Sequence, residues 1–210
     1  LVFVPYVERM NASLAYFKGF ALRDEHPGID RWFNALEQLA TYRGTQSDVH
    51  THAHDLPPQM GGCWSNGRPE QQAMALAVDQ GAGLAALETS WTAQIGDDDV
   101  RASDRALERV LRHRSALIAR NPLGAAFDQP LRAALTHLIS GKLCQPNADT
   151  AIGLRYLRDR ISVPRDMPLQ SARLLRKALE ATAALDGEAQ PAPPPFEHRF
   201  DQDPRPFLNP

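Results

Sequence analysis

Cysteine is nearly absent: Cys63 and Cys144 are the only two in 210 residues. Two thiols supply neither a disulfide framework nor a four-thiolate zinc site, and they fit a reducing compartment. No apolar run approaches the roughly 20 residues that span a bilayer, which excludes a transmembrane helix as an expectation. Period-2 alternation is also missing, so no strand is expected and the fold class reads as all-α. Charge of one sign is lacking as well. The net charge is −2, so no broad field points to nucleic acid or to an anionic membrane as partner. No repeat occurs at solenoid spacing. What is present is globular composition, 43% hydrophobic and 23% charged, enough to bury a core in one large domain or one domain with appendages.

Helical periodicity begins at once. Phe3, Val7, Met10, Leu14 and Phe17 fall on one stripe. Leu1 opens directly into apolar residues with no initiator methionine and no polar cap, which reads as a fragment starting inside a helix. Pro27 suits the first turn of a second helix, with Ile29, Trp32, Phe33, Leu36 and Ala40 inward and with Arg23 and Arg31 outside the stripe, in solvent. Trp32 and Phe33 are expected to pack on the first helix. Pro69 and Glu70 open a helix to about Gln80. Ser103 is a candidate N-cap for the next, whose apolar face is Leu107, Val110, Leu111, Leu117 and Ile118. Arg101, Arg105, Arg109 and Arg112 form a solvated face with pairs such as Glu108 to Arg112. Leu131, Ala134, Leu135, Leu138 and Ile139 mark a further helix closed by Gly141. Ile152 to Ile161 gives another, and Pro168 starts the last.

Residues 42 to 68 break the pattern with Gly44, Pro57, Pro58, Gly61, Gly62 and Gly67. A loop is expected there, ordered by Tyr42, Val49, Leu56, Met60 and Trp64 and lying on the first two helices. It carries Asp48-Val49-His50-Thr51-His52-Ala53-His54-Asp55, then Cys63. Alternate histidines on an extended segment point the same way, so His50, His52 and His54 are candidate ligands for zinc, copper or nickel. The preferred expectation is structural: three imidazoles pointing apart, each bonded to its own backbone or carboxylate partner, with no metal bound. Cys63 after Gly61-Gly62 is read as a small buried residue rather than a nucleophile. The acidic run Asp97-Asp98-Asp99 reads as a turn before a helix N-terminus, not a calcium loop. Residues 188 to 210 form a proline-rich extended tail with Phe196, Phe200 and Phe207 as anchors.

The opening residues carry a resemblance. Val4-Pro5-Tyr6-Val7-Glu8-Arg9-Met10, His26-Pro27-Gly28-Ile29-Asp30-Arg31-Trp32-Phe33, Leu36-Glu37 and Thr41-Tyr42-Arg43-Gly44 resemble the C-terminal helical domain of glutathione transferases. The stretches 42–63 and 154–168 look like the long C-terminal extension of transferase-like proteins in cyanobacteria and plastid-bearing organisms. The resemblance implies a division into residues 1–68, the end of the transferase-like domain with its His-rich loop; 69–187, a helical extension; and 188–210, the tail. It implies a fragment that is inactive alone. The full-length parent would take glutathione as co-substrate and a small electrophile as substrate. The catalytic residue would lie in a thioredoxin-like domain not contained in this chain, and Tyr6, Arg9, Met10 and Ser13 would form part of the electrophile pocket. A cytoplasmic or plastid-stromal location follows from the same likeness, with a homodimer or a protein partner compatible with it. Two rival readings stand beside it: a non-catalytic helical interaction module, and a metal-dependent enzyme built on the histidines.

Overall fold

The structure is a computed structural model that describes residues 2–60, 63–80 and 101–186. Among the described residues there are ten α-helices and no strand. In chain order these are α1 (Val4–Lys18), α2 (Leu22–Glu25), α3 (Pro27–Glu37), α4 (Ala40–Thr45), α5 (Val49–Met60), α6 (Pro69–Asp79), α7 (Ala102–Arg120), α8 (Asp128–Ser140), α9 (Ala151–Arg158) and α10 (Leu169–Ala183). Short 3-10 turns precede α8 and follow α10. No helix is long and apolar enough to cross a membrane among the described residues. The acidic run 97–99 and the tail 188–210 lie outside the described residues.

The main core belongs to the second half. α10 packs on α7, α8 and α9, and Phe127, Leu131, Leu154, Leu175 and Leu179 are fully buried at its centre. α9 receives an N-terminal anchor from far along the chain. Asp186 accepts the backbone N–H groups of Asp149, Thr150 and Ala151 at 3.0, 2.6 and 2.9 Å, a carboxylate satisfying the orphan donors of a helix start.

The first half is a smaller layer in which α1 packs on α5 and α6. Gly19 closes α1 in the left-handed region at φ 68. Its N–H donates to Ala15 O at 3.0 Å, while that of Phe20 donates to Leu14 O at 3.1 Å, the pairing that lets a helix end on glycine. Gly19 also admits α6: a Cβ there would stand 2.5 Å from Gln71 N.

Several expectations from the pattern are corrected. The buried residues of α1 are Asn11, Ala12, Ala15 and Phe17; of the expected stripe Phe17 is buried, Val7 and Leu14 are half-buried, and Phe3 and Met10 are exposed. Small residues win because two helices approach α1 closely. Arg23 is buried rather than solvated. Its guanidinium donates to Asp30 at 2.7 Å, Asn34 at 2.7 Å and Glu37 at 2.6 Å, and this network satisfies a charge the apolar periodicity could not place. Phe33 is buried, whereas Trp32 is half-exposed and stands edge-on to it. Leu111 and Ile139 are exposed, and α7 begins at Ala102, ahead of Ser103. Cys63 is exposed, not buried. The largest correction concerns residues 42 to 68, where most of the expected loop is helical.

Candidate metal centre

α5 exists because Asp48 caps it. The Asp48 carboxylate accepts the backbone N–H of Thr51 at 3.0 Å, an N-cap bond that starts a helix at Val49. A helix changes the geometry of the three histidines. Positions i and i+4 share a face, while i+2 is turned roughly 200° away. His50 and His54 accordingly stack with ring centroids 4.5 Å apart. His52 faces the opposite way, into a small cleft shared with Glu8, Glu37 and Asp48. The expected divergence of all three imidazoles therefore holds for His52 alone.

Asp48 does a second thing. Its carboxylate pairs with Arg176 of α10, a side chain only 1% exposed. Arg176 also donates to Thr51 Oγ1 at 3.1 Å and to Ile161 O at 2.7 Å. Thr51 Oγ1 accepts the Val163 N–H at 3.0 Å as well. These bonds fasten the first turn of α5 to the second half of the chain and set the face bearing His50 and His54 against the C-terminal end of α9.

Two carboxylates meet the histidines there. Asp79 ends α6, and its Oδ1 lies 2.8 Å from His54 Nε2. Asp159 follows the last residue of α9, with Oδ1 3.2 Å from His50 Nε2 and 3.7 Å from His54 Nε2. One nitrogen or oxygen from each of His50, His54, Asp79 and Asp159 falls within 4.8 Å of all the others. A tetrahedral ion with bonds of 2.0–2.1 Å spaces its ligands about 3.3 Å apart; the pairs at 2.8, 3.2 and 3.7 Å stand near that spacing, and the widest separation in the cluster, within 4.8 Å, would close by up to about 1.5 Å around an ion.

The surroundings orient these groups. His50 Nδ1 lies 3.2 Å from Val78 O. A carbonyl only accepts, so Nδ1 carries the proton and, in the neutral ring, Nε2 presents its lone pair to the cluster. That nitrogen has no aligned hydrogen bond, although it faces an oxygen of Asp159, and His50 is 4% exposed. The Tyr16 hydroxyl donates to Asp79 at 2.9 Å. Arg158 donates to both oxygens of Asp159 at 2.7 and 3.0 Å and is itself balanced by Glu180 at 2.6 Å. Outer partners of this kind fix ligand orientation in metal sites.

Proton affinities follow from the packing. Burial, reinforced by the nearby Arg176 and His54 charges, pushes His50 down to about 4. Burial also opposes charge on His54, yet Asp159 and Asp79 outweigh it and raise its pKa. Burial would raise the Asp159 carboxyl, but His54, His50 and Arg158 together hold it well below the usual range.

The residues singled out from sequence are only partly assembled. Tyr6, Arg9 and Met10 are exposed on the first turns of α1 and Ser13 is half-buried. None of them belongs to the cluster. Asp48 is committed to Arg176, and Cys63 is no member of the site. Asp79 and Asp159 were missed because they lie 25 and 105 residues beyond His54 in the chain. The i, i+4 spacing of His50 and His54 was the available signal, and treating the segment as extended concealed it. No family model matches the chain, and neither a curated protein nor a solved structure does so.

Proposed function

We propose that the chain binds one divalent transition-metal ion between His50, His54, Asp79 and Asp159, and that this centre is its functional site. The observation that carries the proposal is the convergence of two imidazole nitrogens and two carboxylate oxygens within 4.8 Å of one another, beside a His50 that is buried. A cation there would take the Nε2 of His50 and the Asp159 oxygen 3.2 Å from it as two of its ligands. Two carboxylates and two neutral imidazoles carry a charge of −2, which a divalent ion neutralises. The mixed nitrogen and oxygen set suits zinc, iron(II), manganese or cobalt. Four protein donors fill a tetrahedral shell, the composition of a closed site. Such an ion ties α5 and α6 of the first half to α9 of the second. This departs from the metal-free expectation of the sequence.

Elemental analysis of protein reconstituted with zinc, iron(II), manganese or cobalt tests it. One equivalent per chain is expected, lost in His50→Ala and Asp159→Ala, together with an upward shift of the melting temperature on loading. Less than about a tenth of an equivalent of every metal, with no melting shift, removes the proposal.

A second, compatible reading is favoured by a different observation. Phe3, Tyr6 and Met10 lie exposed together on the first turns of α1. Such a face suits the wall of an electrophile pocket in a glutathione transferase-like parent, with glutathione bound by another domain. The test is retention on glutathione resin by a full-length parent and not by this chain. Failure of the parent to bind excludes this second reading and leaves the metal proposal standing.

A further inference from the structure

The two carboxylates of the cluster are held by outer partners, and the way they are held narrows which ion they take. Each turns one oxygen to the imidazoles. Asp79 Oδ1 lies 2.8 Å from His54 Nε2, and Asp159 Oδ1 lies 3.2 Å from His50 Nε2. The second oxygen of each is engaged by a donor. The Tyr16 hydroxyl stands 2.9 Å from Asp79 Oδ2 and 3.1 Å from Oδ1. It has one proton to give, and the shorter contact directs it to Oδ2. Arg158 spans Asp159, with Nη2 on Oδ2 at 3.0 Å and Nε on Oδ1 at 2.7 Å, a fork that fixes the plane of the carboxylate.

Both holders are themselves fixed. Tyr16 lies on α1 with its ring edge-on to His54, centroids 5.3 Å apart, and its backbone carbonyl accepts Gln71 Nε2 of α6 at 2.7 Å. Arg158 Nη1 reaches Glu180 of α10 at 2.6 Å. A carboxylate whose second oxygen is taken by a donor binds an ion through the first alone. The protein then supplies two nitrogens and two oxygens and no more. That set suits a tetrahedral ion such as zinc, whereas manganese favours an octahedral shell rich in oxygen. Asp79 is the most exposed of the four, at 27%, so a further oxygen has its easiest approach there. The Tyr16 hydroxyl occupies the Asp79 oxygen at that edge.

We infer, resting on the metal proposal, that Tyr16 and Arg158 are positioning residues that hold Asp79 and Asp159 to one oxygen each, so that the centre takes a four-coordinate ion, zinc, and disfavours manganese.

Cobalt(II) is the probe, because its visible absorption is intense in a tetrahedral shell and faint in a six-coordinate one. The whole chain with one equivalent of cobalt should show the intense band, and zinc should displace it. Tyr16→Phe keeps the ring against His54 and removes only the hydroxyl. It should still bind one equivalent, with a weaker band. Its preference for zinc over manganese, measured by competition, should fall by at least about tenfold, the scale of outer-partner effects. Arg158→Lys keeps the charge, loses the fork and should move both measurements the same way. Zinc outranks manganese at most nitrogen-containing sites, so the change in the ratio between wild type and variant is what counts. No cobalt bound by the wild type removes the metal proposal and this inference together. One bound equivalent with a faint band in the wild type overturns this inference alone. So do a spectrum and a zinc-to-manganese ratio that neither variant changes.

Discussion

Replacing Arg176 by methionine removes a guanidinium at the junction of the two halves while keeping most of the side-chain volume. The wild-type group donates to Asp48, Thr51 Oγ1 and Ile161 O, and both Arg176 and Asp48 are inaccessible to compensating water. Breaking a buried ion pair by deleting one partner costs about 3–5 kcal/mol, because the other charge stays buried alone. Urea unfolding followed by helical circular dichroism measures this. With a slope near 2 kcal/mol per molar, the midpoint should fall by about 2 M. Asp48→Asn isolates the charge, since asparagine still caps α5. The double variant should be more stable than the sum of the single losses by at least about 1 kcal/mol, because neither charge is then stranded. A loss below about 1 kcal/mol for Arg176→Met, or strict additivity in the cycle, would refute the claim that this pair holds the halves together.

Three further outcomes follow from the geometry. In a series of single alanine variants, His50→Ala and His54→Ala should lose bound metal while His52→Ala keeps it; equal loss in all three would mean that the helical separation of His52 is wrong. For the metal-free protein the pH dependence has a definite sign. Unfolded His50 takes up a proton near 6.5 that the folded protein refuses until about 4, so stability falls as pH drops through that window, by about 3 kcal/mol at most. His54, raised in the fold, stabilises below its unfolded pKa, and that contribution is lost as pH rises through the folded value. Thermal melts in EDTA from pH 4 to 9 should show the acid limb shrinking in His50→Asn, and an unchanged acid limb would sink this account. Gly19→Ala should cost about 1–3 kcal/mol, since the new Cβ meets the α6 backbone and φ is positive; a neutral melt would show that α6 yields.

Much of the helical order was legible because local signals set it. Pro27 and Pro69 stand in first turns and Gly141 stands just past an end, so the corresponding helices lie close to where periodicity placed them. The centre was less legible for two reasons. Pro57 and Pro58 suggested a break, yet α5 runs through both, and the Asp48 cap outweighed the glycines and prolines around it. The carboxylates belong to helix ends brought in by packing between the halves, which no local spacing encodes. Arg23 and Arg176 illustrate the same limit. A hydrophobic stripe identifies apolar interior positions, whereas a buried arginine becomes visible only once its acidic partners are in place.

The bond from Val163 to Thr51 has a use of its own. Val163 lies outside every helix, and its amide donates to a side chain 112 residues away. Hydrogen exchange at most backbone amides of this chain reports helix fraying or global unfolding. Exchange at the Val163 amide reports the parting of the two halves. A single resolved resonance thus measures the free energy of that opening directly, and its slowing on titration with zinc would give the coupling between ion binding and closure without unfolding the protein.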